Sequence, residues 1–93
     1  MKEAMKRKSI VVKGQVQGVF FRAFTQKEAR RLGLTGHVSN KADGSVYIEA
    51  QGKDVVVEAF TQWCKFGSPL ATVQEINDVD IDCLDEEDFM ILK

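Results

Sequence analysis

The spacing of apolar residues along this chain of 93 residues switches between the period of a strand and the period of a helix. Segments with strand character are interrupted twice by segments in which apolar residues recur at helical spacing. The first helical segment covers Arg22 to Leu32, and the second begins at Asp54, which we predict as its N-cap. Each element has one apolar face to bury, so the pattern predicts a sheet with helices packed against it.

The segments with strand character complete the order of elements. Residues 9–12 form a first strand, residues 36–40 a second, and residues 45–50 a third that buries one face. The extended last quarter supplies a fourth strand, with a bulge predicted near residues 75–77, and residues 89–92 supply a short final strand. The order β-α-β-β-α-β is that of the split-βαβ, ferredoxin-like α+β fold.

That topology predicts an antiparallel sheet with both helices on one face. Its first two strands run parallel on either side of the third, so the loop after the first strand should meet the end of the second. We predict that residues 9–93 form one domain and that residues 1–8 form a flexible tail. Lys41 to Gly44 has the composition of a hairpin connection, and Gly33 stands where a helix C-terminal glycine belongs.

The composition indicates an ordinary globular protein, with 44% hydrophobic and 29% charged residues. A net charge of −1 gives no general affinity for nucleic acid or anionic membranes. The charged N-terminal segment lacks the apolar core that a signal peptide has, and no apolar stretch is long enough to span a bilayer. Cys64 and Cys83 are predicted to be reduced, partly buried thiols, so we expect a cytoplasmic protein, and we expect a monomer.

The segment Gly14 to Arg22 carries the clearest chemical signal. It leads from a strand into a helix N-terminus, where backbone N–H groups are unpaired and the helix dipole is positive. Two glycines let the backbone curl around an anion, and Arg22 adds a planar cation suited to phosphate oxygens. The residues alone leave two interpretations open: an oxyanion cradle for phosphate or carboxylate, or a glycine loop followed by a surface arginine.

The same segment matches the acylphosphatase signature G-x-V-Q-G-V-x-F-R at every specified position. Residues 36–52, with Asn40 and Gly44, resemble the second signature of that family. The chain therefore resembles the acylphosphatase family from Ser9 onward. The resemblance implies an enzyme that hydrolyses acyl phosphates to carboxylate and inorganic phosphate, with no cofactor and no metal.

The resemblance also implies roles for individual residues. Arg22 and Asn40 are the implied catalytic pair, with Asn40 positioning a water for in-line attack on phosphorus. The substrate's own phosphate would take the proton, because no carboxylate or histidine in the motifs is an obvious base. The implied phosphate-binding residues are Gln17, Gly18, Val19, Phe20, Phe21 and Arg22.

Two positions depart from the family pattern: His37 replaces a large aromatic residue, and Ser39 a basic or small one. Alternation along the strand places both on the open face of the sheet if Val38 faces the helices, so they concern stability more than catalysis. Among other residues, Phe20, Phe21, Phe24 and Trp63 are expected in the core, and the acidic residues from Asp80 to Asp88 in a solvated turn.

Two other functions remain open. An RNA-recognition module shares this topology, but it needs exposed aromatic residues on the first and third strands, where the chain offers only Tyr47. An accessory domain that binds carbamoyl or acyl phosphates for another protein would keep the cradle without the hydrolysis. The presence of both Arg22 and Asn40 in a freestanding chain favours the hydrolase.

Overall fold

The structure, a computed structural model, describes residues 4–92, and in this range it contains a sheet of five strands with two helices. The strand order across the sheet is β4-β1-β3-β2-β5, so β1 and β2 flank β3. The predicted ferredoxin-like α+β fold is thereby confirmed. The elements are β1 (Met5–Gln15), α1 (Phe21–Arg31), β2 (Thr35–Asn40), β3 (Val46–Lys53), α2 (Asp54–Cys64), β4 (Thr72–Ile81) and β5 (Phe89–Ile91).

The sheet is mixed rather than antiparallel throughout. The pairs β1–β3, β1–β4 and β2–β3 are antiparallel, as predicted, but β5 pairs with β2 in parallel. The chain leaves β4 at one edge of the sheet and reaches β5 at the other edge. Residues 82–88 carry it across, so β5 enters alongside β2 in the same direction, which hydrophobic periodicity does not reveal.

The core lies between the sheet and both helices. From the sheet it receives alternate residues of the three central strands, and each of these is fully buried. Helix α1 packs near β2 and β5, and α2 packs near β1 and β3. Both helices bury side chains in one cluster, which confirms that they share one face of the sheet. The cluster includes Ile10, Val12, Val38, Val46, Ile48 and Ala50 from strands, and Phe21, Ala29, Val57, Phe60 and Cys64 from helices.

The buried face of α2 differs from the prediction. From spacing alone, the sequence predicts an apolar stripe of Val56, Ala59, Phe60 and Trp63. The buried side chains are instead Val57, Phe60, Thr61 and Cys64, a face rotated by about one residue. Trp63 is partly buried and stacks on Phe60, with ring centroids 5.9 Å apart. The N-cap is Lys53 rather than Asp54, because Lys53 is still extended and Asp54 is the first helical residue; the Asp54 carboxylate pairs with Lys6 at 3.1 Å.

The N-terminal segment is also ordered further than predicted. Strand β1 begins at Met5, so the predicted tail is wrong for residues 5–8, while residues 1–3 lie outside the described residues. Lys8 is buried, and its Nζ lies 2.6 Å from Asp78 and 3.0 Å from Glu58. Charged side chains therefore extend the sheet here because they find partners distant in sequence.

The predicted bulge in β4 is present one residue earlier than expected. Lys13 pairs with Glu75 and Gly14 pairs with Val73, which leaves Gln74 as the extra residue. Gly14 has φ +136°, and a Cβ there would lie 2.1 Å from the Thr72 carbonyl oxygen. Only glycine fits this position at the end of β1.

The predicted helix end and hairpin are confirmed. Gly33 has φ +74°, its N–H donates to the Arg30 carbonyl at 3.1 Å, and the Leu34 N–H donates to the Ala29 carbonyl at 2.9 Å. These bonds form a Schellman motif that ends α1. In the hairpin, the Lys41 N–H donates to the Ser45 carbonyl at 2.8 Å.

The open face of the sheet carries a polar cluster around the fully enclosed Arg7 side chain. Its guanidinium donates to Glu49 at 2.9 Å, to Gln51 at 3.1 Å and to Glu86. The Tyr47 hydroxyl donates to Glu49 at 2.7 Å, and burial together with this bond raises the pKa of Tyr47 to about 12. The structure also places His37 here, 3.6 Å from Glu49 and opposite to the buried Val38, as alternation predicted.

Candidate active site

A cleft of about 300 Å³ opens where the loop after β1 meets the end of β2. The split-βαβ topology brings these two segments together although the sequence separates them. The sequence-predicted residues that line the cleft are Gly18, Phe20, Phe21, Arg22 and Asn40.

The N-terminus of α1 has no side-chain cap. The N-cap residue is Phe20, whose side chain cannot form a capping hydrogen bond, and the first turn contains no acidic residue. The positive end of the helix dipole is therefore not neutralised by the helix's own side chains. In contrast, Arg30 and Arg31 complement the dipole in the last turn.

The backbone before the helix alternates in handedness. Gly18 has φ +73° and Phe20 has φ +62°, both in the left-handed region. Within residues 4–92, none of the backbone N–H groups of residues 17–22 donates a hydrogen bond to another protein group. A run of unpaired N–H groups with alternating handedness is the arrangement that forms anion-binding nests. The segment therefore has unused donors at the point where the dipole is positive.

Arg22 supplies the cation of the cleft. It is the second residue of α1 and is half-buried. Its Nη1 donates to the Leu92 carbonyl oxygen at 3.3 Å, and the Leu92 N–H donates to the Val38 carbonyl at 2.8 Å. The segment after β5 thus fixes one end of the guanidinium against β2, and the remaining donors of Arg22 stay available to a ligand.

Asn40 is the last residue of β2 and lies across from the loop. Its main chain pairs with Val46 of β3, and its Oδ1 is buried with no hydrogen-bond partner among the described residues. A buried amide oxygen without a partner is unusual and is suited to accept a hydrogen bond from a water or ligand.

Two predicted residues of the loop, Gln17 and Val19, do not line the cleft but hold the loop in place. Nε2 of Gln17 donates to the Lys41 carbonyl at 2.7 Å and to the Ser45 carbonyl at 2.9 Å, which ties the loop to the hairpin after Asn40. The Val19 carbonyl accepts a hydrogen bond from Ser68 Oγ at 2.8 Å. Both residues can still present their backbone N–H groups to an anion.

The prediction that all three phenylalanines near the loop anchor the core is wrong for two of them. Phe21 is buried, but Phe20 is 67% exposed and Phe24 is 38% exposed. Phe20 also has a left-handed backbone conformation. Three further residues line the cleft without having been predicted there, namely Val16, Ala23 and Ile91. Only the parallel pairing of β5 brings Ile91 to the cleft, and the sequence carries no signal for that pairing.

The remaining features concern metal-ligating groups, the two cysteines and membrane-spanning helices. Among the described residues, no group of three or more histidine, cysteine, aspartate or glutamate side chains could hold a metal ion. Cys64 is buried as predicted, and Cys83 is exposed, contrary to prediction; both are free thiols. No helix within residues 4–92 has the length and apolar character needed to cross a membrane.

The cleft therefore combines an uncapped helix terminus, unpaired backbone donors, an arginine and an unsatisfied amide. The positive end of the α1 dipole and the Arg22 guanidinium favour an oxyanion, and the Asn40 amide can orient a neutral molecule beside it. Fold and cleft together define a class, the small ferredoxin-like α+β proteins with a positively polarised cleft between the first loop and the second strand.

Comparison with known proteins identifies the family within that class. The acylphosphatase family profile matches residues 8–91. An acylphosphatase of Shewanella amazonensis is 51% identical over 80 residues, covering 84% of this chain and 88% of that protein. The solved structure of an acylphosphatase from Coxiella burnetii superposes with a TM-score of 0.91 at 36% identity, covering 95% of this chain and 93% of that one. The chain belongs to the acylphosphatase family, whose members hydrolyse acyl phosphates.

A larger protein also contains a similar fold. The structure of full-length HypF in its phosphate- and nucleotide-bound form matches with a TM-score of 0.87 at 28% identity, covering 100% of this chain and 12% of that one. The similarity to HypF is thus confined to a small part of that protein.

Proposed function

We propose that this chain hydrolyses the carboxyl-phosphate bond of acyl phosphates without a metal ion, with phosphate held by residues 17–22 and water positioned by Asn40. The observation that carries the proposal is the uncapped N-terminus of α1, where unpaired N–H groups, Arg22 and Asn40 surround one cleft. The N–H groups and Arg22 stabilise negative charge on the phosphoryl oxygens, and the Asn40 amide oxygen can accept a hydrogen bond from a water beside them.

The phosphate end of the substrate would occupy the cradle. The N–H groups of residues 17–22 and the Arg22 guanidinium donate to the non-bridging oxygens, and the dipole of α1 stabilises their charge. This arrangement fixes the phosphorus atom relative to Asn40, and positioning with charge stabilisation supplies most of the rate in phosphoryl transfer.

The attacking water would be oriented by the Asn40 side chain. Its Oδ1 accepts a hydrogen bond from the water, which leaves an oxygen lone pair to attack phosphorus in line with the leaving group. The bond from phosphorus to the acyl oxygen breaks, and the carboxylate leaves with the electron pair. The water proton passes to a phosphoryl oxygen, so the products are a carboxylate and inorganic phosphate. No carboxylate or histidine among the described residues lines the cleft, so the substrate supplies the base.

The alternatives raised by the sequence receive less support. An RNA-recognition module would bind on the open face of the sheet, but there Tyr47 is bonded to Glu49 and Arg7 is enclosed by acidic and amide side chains. A domain of a larger protein would resemble the match to HypF, of which this chain covers 12% at 28% identity, whereas the match to an acylphosphatase has 51% identity over 88% of that protein. We therefore propose a small-molecule substrate and no nucleic-acid partner. Because one chain supplies every group of the site, the proposal needs no second copy.

The test is hydrolysis of benzoyl phosphate in the presence of EDTA, comparing the wild type with Arg22→Ala and Asn40→Ala. Loss of a group that stabilises the transition state should lower kcat by about 10²- to 10³-fold in each variant. Arg22→Ala should also weaken competitive inhibition by inorganic phosphate, because the cation contributes to ground-state binding.

Matched controls separate the site from general effects of substitution. Arg31→Ala removes an arginine from the other end of α1, and Asn77→Ala removes an exposed asparagine from β4. Both controls should retain wild-type kcat, and urea denaturation should show all four variants folded. A folded wild type without turnover would refute the hydrolase, and full activity in Asn40→Ala would refute the water-positioning role.

A further inference from the structure

Phe20 has a strained backbone and a side chain that gains little from packing. Its side chain is apolar but 67% exposed, and its backbone is left-handed at φ +62° and ψ +19°. Among the described residues it is the only one other than glycine with a positive φ. A bulky side chain is rarely found in this conformation, where glycine would be free of strain. Neither burial nor local geometry explains a phenylalanine at this position.

The location of Phe20 offers an explanation. It lines the same cleft as Arg22 and Asn40, and Ile91 from β5 lines it as well with 38% of its surface exposed. The lining thus contains two kinds of group: donors suited to an oxyanion, and apolar side chains open to solvent. A cleft of about 300 Å³ is at the lower limit of ligand pockets and holds more than a phosphoryl group.

We propose that Phe20 and Ile91 form the acyl subsite of this cleft, and that the enzyme prefers acyl phosphates with an aromatic or other apolar acyl group. This inference rests on the function proposed above and adds the substrate class. The apolar acyl group loses water against the two side chains when the phosphate is bound. A small or polar acyl group gains little from packing at the same place.

The test compares kcat/KM for benzoyl phosphate with kcat/KM for acetyl phosphate in each variant. The ratio of the two cancels any change in the phosphate cradle that is common to both substrates. Phe20→Ala should lower the ratio about tenfold, because the benzoyl ring then has no aromatic side chain to pack against. Ile91→Ala should lower it in the same direction, and it tests the subsite from a different element of the fold.

Controls and outcomes keep this inference separate from the proposed function. Phe24→Ala removes an exposed phenylalanine one turn further along α1 that does not line the cleft, and its ratio should equal that of the wild type. Phe20→Leu should restore part of the ratio. If the wild type is active but the ratio differs less than twofold from wild type in both Phe20→Ala and Ile91→Ala, the acyl subsite alone is overturned. A folded wild type that hydrolyses neither substrate overturns the proposed function and the subsite with it.

Discussion

Replacing Arg7 by methionine should destabilise the fold strongly although Arg7 lies outside the proposed site. The Arg7 side chain is fully enclosed on the open face of the sheet, and its guanidinium bonds both Glu49 and Glu86. These carboxylate side chains are only 18% and 27% exposed. Methionine preserves much of the aliphatic volume, but it leaves both carboxylates without their cation.

The size of the effect follows from the ion pairs and hydrogen bonds that methionine cannot form. A hydrogen bond to a charged group contributes about 1.5–3 kcal/mol, and breaking a buried ion pair by removing one partner costs about 3–5 kcal/mol. Because both carboxylates keep some solvent exposure, we expect the free energy of unfolding to fall by about 3 kcal/mol. With an unfolding entropy of about 2.1 cal/mol/K per residue, this decrease lowers Tm by about 15 °C.

The pH dependence gives a second readout. Burial acts to raise the pKa of Glu49, but hydrogen bonds from Tyr47 and Arg7 outweigh it and hold the pKa below its ordinary value. A carboxylate with a lowered pKa stabilises the fold above its unfolded pKa of about 4.3, and this contribution is lost as pH falls through the folded pKa. The difference in stability between wild type and Arg7→Met should therefore be full at pH 7 and shrink below a pH of about 4.

The assay is urea denaturation at pH 7 and at a pH of about 3, monitored through the fluorescence of Trp63. Arg31→Met is the matched control: the Arg31 side chain is 66% exposed where it pairs with Glu28 at 2.7 Å, unlike the fully enclosed Arg7, so its removal should cost only about 0–1 kcal/mol. A destabilisation at pH 7 no larger for Arg7→Met than for Arg31→Met would refute the reasoning. So would a difference that stays constant down to a pH of about 3.

Two further predictions concern the fold and the thiols. Gly36→Ala should prevent stable folding, because a Cβ there would lie 1.8 Å from the Glu49 carbonyl oxygen at φ +139°, whereas Gly33→Ala, with open space at φ +74°, should cost about 1 kcal/mol. Urea denaturation compares the two, and similar decreases in stability would contradict the steric argument. Iodoacetamide should alkylate exposed Cys83 and spare Cys64 in the native state, since burial raises the pKa of the Cys64 thiol. Mass spectrometry that finds both thiols modified at equal rates would contradict this.

Local signals in the sequence predicted most of the fold. Gly33 and Gly44 have positive φ values where the sequence placed a helix end and a hairpin, and the two periods of apolar residues gave the element order. From that order alone, the loop before Arg22 was predicted to meet Asn40, and both line the cleft. Conformations that depend on a few neighbouring residues are therefore readable from the sequence.

Features decided by distant partners were not predictable. The buried face of α2 was misplaced because Val55, Val56 and Val57 are consecutive valines, and only packing against the core selects Val57. Strand β1 begins early because Lys8 meets Asp78 and Glu58. The apolar lining from Ile91 depends on a parallel pairing that no local pattern encodes.

Two of the places where local rules fail lie in the cleft, and they are visible without any comparison to other proteins. Within residues 4–92, the only left-handed residue other than glycine is Phe20, and the buried Oδ1 of Asn40 is unsatisfied. Helix α1, which begins directly after Phe20, has no side-chain cap. Each feature costs stability, and a small domain has little stability to lose. Such violations can persist where a ligand completes them, so the strain at Phe20 and the unmet hydrogen bond at Asn40 support the proposed site independently of the signature sequence.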